Sequence, residues 1–439
     1  TRSFSAFLLN RSSDLSFSPY DRDKQHLLRD QLHTFYYSLQ NYGLEGEPCP
    51  KSWLEAFRLL EKLLIQNDDG SRQVVFIDEL PWMDTARSRF IPAFEHFWNG
   101  WAAHRDNILL IVCGSATAWM TDNLINNKGG LYNRLTHEMK LSPFTLKECE
   151  EYFQSKELMM SRYDVAQTYM VFGGIPHYLS LYEKGMSTPQ NIDRLLFEKN
   201  AKLKNEFDRL FGSLFKNSKD HIKVVRLLAK RNAGYTRKEI LSATGIKDGS
   251  GATEILKGLM ASDFITSYQP FSESKIERYK LADPFCMFYL HFLDERKIVD
   301  PQFWQNNHLS PRLNTWRGFS FEQLCFAHIP QIKTSLGIVG VSTTESAWMI
   351  ETSDKKQQID MLIVRSDNVV NLCEIKFHAT AFSIDKQYDA LLRDRVQTLI
   401  EHLPAKKTVH LTFISAYGLK QNEYSGHVQS VVTLDDLFQ

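Results

Sequence analysis

The run Val74-Val75-Phe76-Ile77, followed at once by Asp78-Glu79-Leu80-Pro81, is the strongest constraint on how this chain folds. Four consecutive apolar residues, two of them β-branched, predict a strand buried on both faces. A second run, Ile108-Leu109-Leu110-Ile111-Val112, predicts another fully apolar strand and ends in Cys113-Gly114-Ser115. The residues Phe90–His104 between them have the pattern of a helix. Strand, helix and strand make a βαβ unit, and so a parallel sheet. Open parallel sheets gather their chemistry at the carboxyl ends of their strands, where Asp78, Glu79 and Ser115 must lie. A carboxylate there can hold Mg²⁺ directly or through water, and its neighbour can polarise an attacking water. The plainer reading of the same residues is a buried strand running into an acidic turn.

The chain has 439 residues, which suggests two to four domains. Its 52 basic residues balance 52 acidic ones, so net charge names no partner. Cys49, Cys113, Cys149, Cys286, Cys325 and Cys373 form no C-x-x-C pair. That argues against a zinc site or disulfide framework and for a reducing cytoplasm. No apolar run approaches the roughly 20 residues of a membrane span, and no signal peptide is visible. The first residue is Thr1 rather than Met, so the expectation is a sequence that starts inside a longer one.

An Asp and a Glu at the end of a buried strand form the Walker B arrangement of a P-loop ATPase, with Asp78 on the metal side and Glu79 as catalytic base. AAA-type ATPases also place a polar residue, sensor 1, at the tip of the strand beside Walker B, and Ser115 takes that position. Such a site needs a phosphate loop, G-x-x-x-x-G-K-S/T, and the sequence has none. The nearest stretch, Gly46-Glu47-Pro48-Cys49-Pro50-Lys51-Ser52, lacks the second glycine, and its prolines remove N–H donors. Pro50-Lys51-Ser52 reads better as the start of a helix over Trp53–Gln66. The serine-rich Thr1–Tyr20 shows no period.

Further short motifs follow in order. Phe76–Met83 reads FIDELPWM, and Gly114-Ser115 ends the next strand. Gly129-Gly130-Leu131-Tyr132-Asn133-Arg134, Leu141-Ser142-Pro143-Phe144 and Gly173-Gly174-Ile175-Pro176 come after them. In these stretches the chain resembles a prokaryotic group of AAA-type ATPases, often called archaeal-type, whose carboxy-terminal domain has long been described as of unknown function. The resemblance covers most of the chain and departs from the family at the missing Walker A. It implies ATP and Mg²⁺ as cofactors. It also implies that Arg134 approaches the nucleotide like an arginine finger; otherwise Arg134 is a solvated residue after a glycine-rich turn. Lys147–Ser155, Asp164–Val171 and Ile192–Phe215 are the expected helices of a lid, with Gly173 and Gly174 at a tight turn between helices.

Ser218–Lys230 and the helix opened by Tyr235–Ile240, with Thr236 and Glu239 as a capping box, are followed by a third helix, Gly251–Ser262. The strands Phe264–Gln269 and Glu277–Leu281 flank Pro270–Lys275. Three helices and a β-hairpin predict a winged helix. Ser218–Ala282 contains twelve Lys/Arg and seven Asp/Glu. A basic winged helix can bind double-stranded DNA through its phosphates. The third helix offers few base readers (Thr253, Glu254, Lys257), so the binding would be non-specific. A protein-contact or self-association module fits the same pattern. Asp283–Tyr289 is similar to a D-P-x-x-x-F-W/Y segment of the family, and Asp300–Pro311 reads as a linker.

The terminal segment carries a second constellation. A helix over Trp316–Ile329 holds Glu322; the strand Gln358–Val364 holds Asp360; the strand Val369–Phe377 holds Glu374-Ile375-Lys376. Ser366-Asp367-Asn368 joins the two strands as a hairpin. Glu374 and Lys376, two apart, share a face. Asp with Glu-x-Lys is the core of a PD-(D/E)xK nuclease, in which two carboxylates bind Mg²⁺ and the Lys orients water. The metal expectation covers Asp360, Glu374 and Glu322. A solvent-facing strand with a Glu–Lys pair is the plain alternative. The fold class expected is therefore α/β: an AAA-type P-loop core over 1–160, a helical lid over 161–216, a winged helix over 217–282, a helical linker over 283–311 and a restriction-endonuclease-like domain over 312–439. The function expected is ATP hydrolysis coupled to the winged-helix and nuclease-like modules on DNA. The other readings are a nucleotide-regulated switch or scaffold with an inactive terminal domain, and an ATP-gated DNA nuclease.

Overall fold

The chain is a mixed α/β protein in a computed structural model that describes residues 5–9, 24–115, 117–215, 217–271, 276–294, 300–351, 356–403 and 407–439. Most of the serine-rich stretch and residues 272–275 of the expected hairpin turn lie outside the described residues. Two units make up the fold, Thr1–Met139 and Lys140–Gln439. The expected boundaries at 216, 282 and 311 all fall inside the second.

The first unit is built on three parallel strands in the order β1-β2-β3: β1 (Ser5–Leu9), β2 (Gln73–Ile77) and β3 (Ile108–Val112). Ile77 pairs with Val112, so β2 and β3 end level with each other. Helix Trp53–Gln66 repeats apolar residues at helical spacing and buries Trp53, Ala56, Phe57, Leu60, Leu63 and Leu64. Ser52 caps this helix by accepting the Glu55 N–H, and Lys51 N–H donates to Glu55. The stretch before it is thus a helix start and not a phosphate loop. Phe90, Phe94 and Phe97 meet Phe57 from helix Phe90–Gly100, with Phe57 and Phe97 stacked at 5.2 Å. Val75 and Ile77 of β2 belong to the same core.

Two expectations need correction here. The helix stops at Gly100 and not His104; Trp101 breaks it, and a 3₁₀ turn, Ala102–His104, follows. The strands are not buried on both faces. In β2, Val74 and Phe76 are half-buried, and in β3 Leu109 and Ile111 remain 40% and 41% exposed. Among the described residues β3 pairs only with β2, and the core covers one face of the sheet.

In the second unit the larger core draws on residues from Leu146 to Phe438, and a separate one gathers Trp348, Leu362, Leu372 and Leu399. Helices Leu146–Ser155 and Arg162–Phe172 open it, the first with a Thr145/Glu148 capping box. Gly173 ends the second helix at φ 66°. Gly174 lies against the backbone of Phe144, whose N–H donates to its carbonyl at 2.7 Å. A Cβ on Gly174 would sit 2.0 Å from the Phe144 oxygen. The Leu141–Phe144 and Gly173–Pro176 motifs thus dock on each other. The expected helix Ile192–Phe215 is broken: a turn of π-helix, Asp193–Phe197, is separated from helix Glu206–Leu214. At the start of the π-turn the buried Asp193 carboxylate accepts N–H groups from Trp304 (2.7 Å) and Gln305 (3.1 Å). Those bonds cap a short helix, Phe303–Asn307, and seat Trp304 among Phe288, Phe292 and Trp316. Residues 300–311 thus carry a short helix anchored by the buried Trp304, while the rest of the stretch stays half-buried or exposed.

Helices Ser218–Leu228, Arg237–Thr244 and Ser250–Ala261 come next, with the Thr236/Glu239 capping box in place. A three-stranded antiparallel sheet accompanies them in the order β4-β6-β5: β4 (Tyr235–Thr236), between the first two helices, then β5 (Ile265–Tyr268) and β6 (Arg278–Leu281) after the third. The last sheet has the order β11-β10-β9-β8-β7. β7 (Thr343–Glu351), β8 (Lys356–Arg365) and β9 (Val369–Lys376) form an antiparallel meander. Helix Lys386–His402 then crosses to β10 (Thr408–Ser415), which runs parallel to β9, and β11 (Ser430–Thr433) adds to β10. Helix Pro311–Ala327 starts before the expected Trp316, with Ser310 as its N-cap and Pro311 in its first turn.

Candidate active site

At the carboxyl ends of β2 and β3 the structure brings Asp78, Glu79 and Ser115 together. Leu80 N–H donates to the Cys113 carbonyl (2.9 Å) and Cys113 N–H to the Ile77 carbonyl (3.1 Å), so the two strand ends are tied past the ladder. A Cβ on Gly114 would lie 2.5 Å from Pro81 Cδ; glycine is what lets the tips close. Glu79 has left-handed backbone angles, φ 51° and ψ 50°, which cost a non-glycine residue about 1–2 kcal/mol. Strain of this kind is kept where surrounding bonds over-determine it, and here they do. Ser115 N–H donates to both Glu79 carboxylate oxygens (3.2 and 3.3 Å), and its hydroxyl donates to Oε2 (3.0 Å). Asp78 accepts the Cys113 thiol through Oδ1 (2.7 Å). Burial, and next that bond, push the thiol up to about 11, so it stays a donor. Asp78 Oδ2 has no hydrogen-bond partner among the described residues.

Arg134 is exposed. Its N–H closes a turn onto the Leu131 carbonyl, and among the described residues its side chain has no hydrogen bond or ion pair. The glycine-rich turn before it is anchored by Asn99, which donates to the Gly130 carbonyl at 2.8 Å. The structure does not join Arg134 to the Asp78–Glu79–Ser115 group.

The second constellation is also assembled, though differently from expectation. The β8–β9 ladder ends at Met361 opposite Cys373. Beyond it the Asp360 carboxylate takes over, accepting the Ile375 N–H at 3.0 Å. Ile375, Cys373 and Phe377 are buried, and so is Glu374, at 0% exposure. That excludes a solvent-facing strand. Glu374 Oε1 accepts Lys376 Nζ at 2.6 Å and the Tyr388 hydroxyl, and Oε2 accepts the Arg395 guanidinium. Lys376 Nζ is 3.8 Å from Asp360. Burial alone would raise the Glu374 carboxyl, but Lys376 and Arg395 outweigh it and hold it below its ordinary value. Burial, with Glu374 nearby, pushes Asp360 up to about 6. Glu322, half-buried on its helix, is pushed up to about 8 by burial and then by Asp360. Among the described residues no three His, Cys, Asp or Glu side chains are placed to hold a metal ion. Of the expected metal set, Glu374 is paired with Lys376 and Arg395, and Asp360 lies within ion-pair distance of Lys376.

No family model and no curated protein matches the chain. Among solved structures it is similar to a Walker-type ATPase of Pyrococcus abyssi, at 18% identity, over 65% of this chain and 84% of that one, with a TM-score of 0.45.

Sequence reading missed Arg395, Tyr388 and Lys280. A signal for the first two exists. Tyr388, Leu392, Arg395 and Leu399 recur at helical spacing, and Leu392 and Leu399 are buried. An Arg and a Tyr on an apolar stripe call for a buried partner. Lys280 on β6 is 8% exposed; its ammonium lies 4.1 Å from the centre of the Phe326 ring, one helical turn from Glu322. Burial lowers it to about 8.

Proposed function

We propose that the first unit supplies the metal and water side of an ATP-hydrolysing site of the AAA type, with Asp78 toward Mg²⁺ and Glu79 as general base. The observation that carries this is the pair of bonds from Ser115 to Glu79. A backbone N–H and a hydroxyl on the neighbouring strand tip fix the carboxylate of a residue with a strained backbone, beside a second carboxylate with one oxygen unbonded among the described residues. The donor set suits the group, because Asp78 is half-buried with Oδ2 available for a hard cation. Bound Mg²⁺ supplies charge neutralisation at the phosphates. Glu79, oriented by Ser115, accepts a proton from the attacking water. Arg134, exposed and unpaired, is the candidate for charge on the transferred phosphoryl group. The 439 residues contain no G-x-x-x-x-G-K-S/T loop to cradle the phosphates. Mg²⁺-dependent ATP hydrolysis by the chain, compared with Asp78→Ala, tests the reading. Loss of turnover in the variant supports it, and equal turnover contradicts it.

We further propose that Ser218–Leu281 is a winged helix that binds duplex phosphates. Lys219, Lys230, Lys238, Lys247 and Lys257 are exposed, and no ion pair engages them among the described residues. The meander with its crossover, carrying Asp360 and Glu374-Ile375-Lys376, is proposed as a nuclease-like module, and ATP turnover as what rearranges the two.

A further inference from the structure

Asp360 and Glu374 carry two negative charges, and Lys376 and Arg395 carry two positive ones. The sequence alone shows one cation for two acids, which leaves place for a metal. The structure fills that place from helix Lys386–His402. Both Glu374 oxygens are occupied, Oε1 by an ammonium and a phenol, Oε2 by a guanidinium. A carboxylate ligand to Mg²⁺ or Mn²⁺ must offer a lone pair at metal distance, and here the Glu374 lone pairs point at N–H and O–H donors of the chain. Asp360 spends Oδ2 on the Ile375 N–H. A divalent ion set between Glu374 and Asp360 would also face two positive side chains at close range. The residues do not fit the metal.

We propose that Arg395 stands where the divalent cation would, so that Asp360, Glu374, Lys376 and Arg395 form a charge-neutral, metal-free ion cluster. It locks helix Lys386–His402 onto β9. Metal-dependent phosphodiester cleavage is shut at this cluster while Arg395 is in place. The cluster is independent of the ATP site.

Mn²⁺ titration of the whole 439-residue chain by calorimetry, without nucleotide, tests this. Asp78 can take Mn²⁺ as well, so only equivalents that depend on Asp360 count. Asp360→Asn is the comparison because an amide oxygen still accepts the Ile375 N–H. The parent and Asp360→Asn are expected to bind the same number of equivalents. Arg395→Ala is expected to gain one, lost again when Asp360→Asn is added; Arg395→Lys should gain none. An Asp360-dependent equivalent in the parent overturns the proposal, and so does a folded Arg395→Ala that gains nothing. If Arg395→Ala does not fold, the parent against Asp360→Asn decides: equal binding supports the cluster, and a lost equivalent overturns it.

Discussion

At the scale of residues, the two constellations handle charge in opposite ways. Asp78 and Glu79 sit half-buried at strand ends, each with a neutral donor beside it. Glu374 is fully buried and pays for that with two cations and a phenol. Removing one member of a buried ion cluster leaves the others uncompensated, at about 3–5 kcal/mol. Glu374→Ala should therefore lower the melting temperature of the second unit, and an unchanged unfolding curve would contradict the cluster. Glu322 gives a pH signature. Its carboxyl, ordinarily near 4.5, is raised to about 8 in the folded chain. Between those values the folded state binds more proton than the unfolded one, so stability falls as pH rises. Asp360, raised to about 6, adds in the same direction at lower pH. Glu322→Gln should lose its share of this dependence. The melting temperature of the variant relative to the parent is expected to be higher at pH 8 than at pH 5; no difference between the two pH values would contradict it. Asp78, Glu79, Asp360 and Glu374 were legible in the sequence because each interrupts or ends an apolar strand. Arg395 was not, because its partner is distant in sequence and only the crossover helix brings them together.

At the scale of elements, the sequence specified existence and type better than extent. β2 and β3 could be read because nothing but a strand fits so short an apolar run between turns. Their faces could not, since a fully apolar strand carries no alternation to say which side is covered. Leu109 and Ile111 are as apolar as Val75 and Ile77, yet only the latter reach the core. Helix starts were readable at Ser52 and Thr236, where side-chain caps mark them, but the start capped by Ser310 was missed. Breaks inside a helical pattern were not readable, and the one between Asp193–Phe197 and Glu206–Leu214 is the example. Gly173-Gly174 was expected at a turn, and the structure adds the reason for the second glycine: the Phe144 backbone lies against it. Gly174→Ala should cost about 1–3 kcal/mol, the usual range for overpacking, and chemical denaturation should show it. Parent-like stability would mean that the Phe144 segment is free to move away.

At the scale of the whole molecule, two units carry two kinds of site, and the larger core of the second draws on residues from Leu146 to Phe438. Among the described residues no helix is long and apolar enough to cross a membrane. The five exposed lysines on the proposed winged helix predict duplex binding governed by counterion release. Five phosphate contacts give a slope of log K against log salt of about −4 to −5. Lys238→Glu with Lys257→Glu should make that slope shallower. A gel shift showing no binding by the chain at low salt would favour a protein-contact role for the module.

The central claim is that Glu79, held by Ser115, is the base of an ATP-hydrolysing site, and Glu79→Gln tests it most directly. The amide keeps the side chain's shape and an acceptor for Ser115 but cannot take a proton. ATP turnover by the variant, measured beside nucleotide binding, should fall by about 10²–10⁴-fold, the range for a lost general base, with binding retained. Turnover at the parent rate would contradict the claim.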